Sequence, residues 1–160
     1  MFKISSIKHG WFDIILSNED TDYYICSSSV GGYDTAKALL NAISDIYYKK
    51  KSSVKLCFNA ENEAHIIHLD AENSNLSIII TEINDKPFKY LSEQTSSLDT
   101  VKQSPPIIQI KCDINNSIKE VIMQFTDIII QKKVDEYNDN WFPFPQEEYD
   151  KIYNYLKYRF

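Results

Sequence analysis

The sequence predicts an α+β fold in which an antiparallel-rich sheet of about six to seven strands packs against two to three helices as a two-layer sandwich. Three observations support this prediction. Short runs of alternating apolar residues recur along the chain, polar turns separate them, and longer segments carry apolar residues at helical spacing. Strands joined by short turns pair antiparallel, and an amphipathic helix covers one face of such a sheet.

The stretch around which the chain is organised covers residues 9–51. Two apolar runs, 11–16 and 23–26, flank a polar turn and predict two strands. A helix is then predicted near 34–49, with Asp34 as its N-cap. Its apolar face comprises Ala36, Leu39, Leu40, Ile43, Ile46 and Tyr47. Three lysines at 49–51 should close the helix, where cations complement the negative end of its dipole.

The remaining strands follow from the same alternation. A first strand is predicted at residues 2–7, before a bend at His9 and Gly10. Three more form a meander and a fourth follows later, at 54–58, 64–69, 75–83 and 107–112. The pattern fails between residues 84 and 104, and the favoured interpretation is a mobile surface insertion, with a lid over a site as the alternative.

Two more helices are predicted in the last third of the chain. One runs near 117–135 with Asn116 or Ser117 as its cap, and the other begins near Pro145, a residue suited to a first turn. The earlier helix has a buried stripe comprising Ile118, Val121, Ile122, Phe125, Ile128 and Ile129. No linker divides the chain, so residues 1–160 are predicted to form a single α+β domain.

Bulk composition restricts the classes of function. The chain is 43% hydrophobic and 25% charged, as ordinary globular proteins are, and no apolar run approaches the roughly 20 residues of a membrane span. The N-terminus alternates like a strand and lacks a signal-peptide pattern, so we expect a cytoplasmic protein without membrane contact. Three widely spaced cysteines favour free thiols. A net charge of −6 and a single arginine argue against direct nucleic-acid binding.

The histidines and the glycine-containing loop give no catalytic or metal signature. On a strand, His65 and His68 point to opposite faces, so they cannot share one ion, and Glu63 with His65 makes a two-ligand site at best. Residues 27–32 lie between a strand and a helix but lack the lysine and spacing of a phosphate-binding loop. We therefore assign no catalytic residue, metal site or cofactor.

One surface is chemically distinctive. Between residues 134 and 150 there are six acids and neither lysine nor arginine, and aromatic residues are interleaved with them. Carboxylates would steer a basic partner, and aromatic side chains are strong interface anchors. The predicted partner-binding residues are Asp135, Glu136, Tyr137, Asp139, Trp141, Phe142, Glu147 and Glu148. For the aromatics, the favoured alternative is that they pack the last helix against the sheet. A smaller acidic group comprises Glu19, Asp20 and Asp22.

Three segments, at 8–12, 33–40 and 141–145, resemble small bacterial immunity proteins of polymorphic toxin systems, including those of contact-dependent growth inhibition. The resemblance implies a cytoplasmic, acidic, non-enzymatic protein that binds and blocks a cognate toxin domain, often a basic nuclease. It assigns no particular residue to the contact.

Two other classes of function stay open, and the oligomeric state could be a monomer or a homodimer. A small enzyme would need a concave pocket with convergent, pKa-perturbed groups. An oligomeric scaffold would bury its aromatic C-terminal segment in a self-interface. A toxin gene beside the coding sequence would favour the immunity protein.

Overall fold

The computed structural model describes residues 2–18, 20–83, 98 and 102–157, and within them the chain forms seven strands, four α-helices and one short 3-10 helix (Ser29–Gly31). The strands are β1 (Phe2–Lys8), β2 (Trp11–Ser17), β3 (Asp22–Ser28), β4 (Ser53–Asn59), β5 (Ala64–Glu72), β6 (Asn75–Glu82) and β7 (Ile108–Asp113). The helices are α1 (Thr35–Tyr47), α2 (Ile114–Ile130), α3 (Val134–Asn140) and α4 (Gln146–Lys157). The predicted α+β class is confirmed.

The strands divide into two antiparallel sheets rather than one. The first sheet has the order β1-β2-β3 and the second the order β4-β5-β6-β7. Strands β3 and β4 lie in contact, but no backbone ladder joins them. A side chain links the two sheets near this boundary, where the Ser28 hydroxyl donates to Glu61 Oε1 at 2.7 Å. Alternation within each strand was visible in the sequence, whereas this boundary depends on contacts between distant strands.

The β1–β2 turn is a two-residue hairpin loop made of His9 and Gly10. Both residues have positive φ, 53° and 81°, as a type I′ turn requires. Gly10 is needed for a second reason, because a Cβ atom there would lie 2.6 Å from the Ser29 hydroxyl. The close approach of the two backbone segments allows Ser29 N–H to donate a hydrogen bond to the Gly10 carbonyl at 2.8 Å.

The main core lies between the sheets and the helices. Helix α1 packs on β4 and α4, and α2 packs on β1, β6, β7 and the other helices. The predicted stripe of α2 is confirmed at its centre, because Ile122 and Phe125 are buried. Asp34 caps α1 as predicted, its carboxylate accepting from Lys37 N–H at 3.0 Å.

Three helix boundaries differ from the predictions. Helix α2 begins earlier, because the Asp113 carboxylate caps it by accepting from Asn116 N–H at 2.9 Å. It also ends earlier, at Ile130, and α3 follows as a separate helix after Lys132 with φ of 56°. The lysines at 49–51 follow α1 rather than lying in its last turn, and Lys49 has φ of 55°.

A smaller apolar cluster forms on the other side of the second sheet. Cys57 and Ile66 pair across β4 and β5 and belong to it, whereas their neighbours Leu56 and Ile67 face the main core. Leu98, only 2% exposed, completes the cluster.

Residues 84–97 and 99–101, most of the predicted insertion, lie outside the described residues.

None of the helices in the described ranges combines the length and apolar composition that a membrane span requires.

Candidate protein-binding surface

The predicted partner-binding residues occupy α3, the first turn of α4 and the residues between them. The end of α3 is fastened to the β1–β2 turn by two hydrogen bonds. Gly10 N–H donates to the Asn140 carbonyl at 2.8 Å, and His9 N–H donates to Asn140 Oδ1 at 2.9 Å. Phe144 N–H donates to Asn138 Oδ1 at 2.8 Å, and this bond holds the segment that follows α3 against the end of that helix. This part of the chain is therefore held by specific long-range contacts.

The aromatic residues of this region support it from within. Trp141 is 9% exposed and Tyr137 is 2% exposed. The Trp141 ring packs against Phe12 of β2, with ring centroids 5.6 Å apart, and against the half-buried Phe142 at 5.2 Å. In this conformation Tyr137 and Trp141 cannot serve as contact anchors, and the alternative in which the aromatics pack the last helix against the fold describes them.

Asp34 connects this region to α1. Its carboxylate caps α1 and also accepts from the Trp141 indole N–H at 3.1 Å. Burial raises the pKa of Asp34, and the hydrogen bonds from Lys37 N–H and Trp141 only partly oppose that rise. The Tyr137 hydroxyl is buried without a hydrogen-bond partner, and its pKa is raised by burial and then by the Asp34 charge. Asp34 and Tyr137, the two groups whose pKa is raised, therefore lie among the residues that hold the surface in place.

One predicted carboxylate is also withdrawn from the surface. Glu148 is 7% exposed, and its Oε1 lies 3.5 Å from Lys37 Nζ. Residues 134–150 contain neither lysine nor arginine, but the fold brings Lys37 of α1 to Glu148. Glu148 therefore contributes to the packing of α4 on α1 and offers little to a partner.

The exposed carboxylates define what we call the acidic corner, which comprises Asp135, Glu136, Asp139 and Glu147. Asp135 and Asp139 are four residues apart and share a face of α3. Glu136 lines a shallow groove of about 250 Å³ together with Lys8 and Lys133, so its charge is partly offset. The other three members, Asp135, Asp139 and Glu147, form none of the ion pairs found among the described residues.

The second acidic group lies on the β2–β3 turn. Asp20 and Asp22 are exposed there, and Glu19 lies outside the described residues. The Asn18 side chain shapes the turn by accepting from the backbone N–H groups of Asp20 and Thr21.

An exposed aromatic group that the sequence analysis missed lies at the ends of α1 and α4. We call it the tyrosine cluster, and it comprises Tyr47, Tyr48 and Tyr155. The three rings meet edge to face with centroids 5.4 to 5.5 Å apart. Tyr48 and Tyr155 are each 36% exposed and border an open groove of about 720 Å³. Helical periodicity placed Tyr47 on the apolar face of α1 and the following lysines at its negative end, and it assigned no role to Tyr48 or Tyr155.

The histidines occupy separate environments. His65 is 8% exposed, with Nδ1 unpartnered and Nε2 4.0 Å from Glu82 Oε1, whereas His68 Nε2 lies 2.6 Å from the Ser53 hydroxyl. Glu63, predicted to share a face with His65, is exposed. Within the described ranges, no three His, Cys, Asp or Glu side chains come together in a geometry that could hold a metal ion.

Comparisons with known proteins identify no relative from which a function could be inferred. No protein-family model matches the chain, and no curated protein or solved structure does so either. The features available for a functional proposal are therefore the acidic corner, its buried aromatic support and the tyrosine cluster.

Proposed function

We propose that this chain is a non-enzymatic protein-binding module that acts as an immunity protein, neutralising a cognate bacterial toxin domain by covering it. The observation that carries the proposal is the acidic corner, a set of exposed carboxylates in a region that the buried Tyr137 and Trp141 support. The partner it fits is a basic protein domain, such as a nuclease.

Pre-organisation supports this proposal. The bonds that His9 and Gly10 donate to Asn140, the bond that Asn138 accepts from Phe144 N–H, and the buried Trp141 hold α3 in place before any partner arrives. A backbone that is ordered in the free protein loses less conformational entropy on binding, so more of the contact energy remains as affinity.

Charge supports the proposal in a second way. Asp135, Asp139 and Glu147 are exposed, and the described part of the chain contains no lysine, arginine or histidine within ion-pair distance of them. The net charge of −6 adds to their field. Such a field accelerates association with a positively charged partner, and salt screens it.

A charge-reversal experiment tests the proposal. The variant Asp135→Lys, Asp139→Lys, Glu147→Lys reverses the acidic corner and omits Glu136, which lies beside lysines. The matched control, Asp20→Lys, Asp22→Lys, Glu72→Lys, changes the net charge equally at exposed positions elsewhere. Binding to the protein encoded by the neighbouring gene is measured by stopped-flow kinetics and calorimetry at low and high salt.

We expect the first variant to associate at least about tenfold more slowly than the control at low salt, and the difference should shrink at high salt. Circular dichroism and denaturant unfolding establish that both variants are folded. Equal association rates for two folded variants would place the interface away from the acidic corner. The tyrosine cluster would then be tested with Tyr48→Ala and Tyr155→Ala.

A further inference from the structure

A cavity of about 190 Å³ lies in the main core, between the two sheets and helices α1 and α2. Apolar side chains from every surrounding layer line it. Leu16 comes from the first sheet, Leu69 and Ile110 from the second, Leu39 from α1 and Val121 from α2. Native cores rarely leave such a volume empty, because the lining atoms lose their dispersion contacts.

Three polar side chains at the rim of the cavity, those of Asp113, Ser117 and Glu120, are hydrogen-bonded within the protein. The Ser117 hydroxyl lies 2.9 Å from Cys112 Sγ and 2.8 Å from the Asp113 carbonyl, to which it donates. Glu120 Oε2 accepts from Phe2 N–H at 2.8 Å, and Asp113 Oδ1 accepts from Asn116 N–H. These groups lie at the first two turns of α2, where Asp113 and Asn116 are exposed, so the cavity opens to the surface there.

Water is a poor occupant of this cavity. A buried water needs two to four polar partners, and apolar cavities without them stay dry. Among the described residues, the buried side-chain polar atoms without a partner are His65 Nδ1 and Tyr137 Oη, and neither residue lines the cavity. An apolar molecule would restore the missing dispersion contacts without displacing bound water.

We propose that this cavity is a binding site for a small, uncharged apolar molecule about the size of a single aromatic ring. The size follows from the volume, since an apolar protein cavity of about 150 Å³ is enough to bind benzene. That the ligand is uncharged follows from the residues at the rim and in the lining of the cavity. The carboxylates of Asp113 and Glu120 repel an anion at the opening, and the apolar lining gives a cation no partner inside. This site is separate from the acidic corner and does not depend on the proposed protein partner.

The test uses benzene and indole as neutral probes and benzoate as an anionic one. Thermal unfolding is followed at increasing probe concentration, and methyl chemical shifts of the folded protein are recorded in parallel. A ligand that binds only the native state raises the melting temperature with concentration. We expect the shift with benzene or indole, together with saturable changes at lining methyl groups such as those of Leu39 and Val121. Benzoate should bind more weakly.

Variants that fill the cavity locate the site. Val121→Phe and Ile110→Phe each place a ring in the cavity and should abolish the melting shift. Met123→Phe introduces the same side chain on α2 at a position that is 52% exposed and outside the cavity, so it should keep the shift. Two filling variants are used so that the test still works if one of them does not fold.

Three outcomes would overturn the proposal. They are no saturable binding of benzene or indole by the folded wild-type protein, undiminished binding in a folded filling variant, and benzoate binding as tight as that of benzene.

Discussion

The acidic corner with its aromatic support and the tyrosine cluster with its neighbouring lysines both combine aromatic and charged residues, but the two regions arrange them oppositely in space. At the acidic corner the aromatic residues Tyr137 and Trp141 point inward and the carboxylates face solvent. At the tyrosine cluster the rings of Tyr48 and Tyr155 are partly exposed, and the Lys50 ammonium lies 5.7 Å from the Tyr48 ring centroid.

The difference arises from what each aromatic side chain meets across the fold. Trp141 meets the ring of Phe12 and the carboxylate of Asp34, two partners more than 100 positions away in sequence. The tyrosine cluster is built from the ends of two helices, and each of its rings packs against the other two. Whether an aromatic residue beside charged residues is buried as a support or exposed at the surface therefore depends on its long-range partners, and substitutions can measure the difference.

The largest expected effect comes from removing the support of the acidic corner. Trp141→Ala should lower the free energy of unfolding by about 3–5 kcal/mol, because a buried ring is replaced by a cavity. It also leaves Asp34 without its indole donor. Denaturant unfolding monitored by circular dichroism measures the change.

Tyr155→Ala provides the comparison from the tyrosine cluster. Tyr155 is 36% exposed and takes part in two ring pairs, each worth about 0.5–1.5 kcal/mol, so Tyr155→Ala should cost about 1–3 kcal/mol, less than Trp141→Ala. If both substitutions cost the same, the distinction between buried support and exposed surface would not hold.

An intermediate effect is expected at Asp34, which joins α1 to the acidic corner. Asp34→Ala removes a helix cap and the acceptor of the Trp141 indole, and should cost about 1–2 kcal/mol. Asp113→Ala is the matched control, because Asp113 likewise caps a helix but has no link to the acidic corner, so about 1 kcal/mol is expected. Equal losses would mean that the Trp141 hydrogen bond contributes nothing.

The pH dependence of stability distinguishes the charge of Asp34 from its hydrogen bonds. Because burial raises its pKa in the folded state above the usual 3.8, the folded protein binds the proton more tightly than the unfolded chain does. The stability from this group is therefore fully present below pH 3.8 and is lost as the pH rises through the raised pKa. Asp34→Asn keeps an acceptor at the cap and should remove this loss. An unchanged slope of stability against pH above 3.8 in Asp34→Asn would contradict the assignment.

Local patterns in the sequence predicted most of the fold. The seven strands, the Asp34 cap and the start of α4 near Pro145 are confirmed, because alternation, capping and proline preference act over a few residues. The division into two sheets depends on whether β3 pairs with β4, which no short segment encodes.

The surface was predicted less completely for the same reason. Counting charges along the chain suggested carboxylates without nearby cations, but Lys37 approaches Glu148, and Lys8 shares a groove with Glu136. Those lysines lie on α1 and β1, far away in sequence. Which of the predicted residues face solvent could be read only from the folded chain.

The smallest expected effect comes from removing a single tyrosine hydroxyl, and the resulting change in the free energy of unfolding should differ in sign between Tyr48 and Tyr137. The Tyr48 hydroxyl donates to the Lys151 carbonyl at 2.7 Å, so Tyr48→Phe should destabilise the protein by about 0.5–1 kcal/mol. The Tyr137 hydroxyl is buried without a partner, so Tyr137→Phe removes a desolvated polar group, and the free energy of unfolding should stay level or rise by up to about 1 kcal/mol. Both substitutions keep the ring and its packing, so denaturant unfolding of the two variants isolates the hydroxyl. If Tyr137→Phe destabilises as much as Tyr48→Phe, the buried hydroxyl has a partner in solution, most simply a bound water, and the interior of the acidic corner is more polar than its side chains indicate.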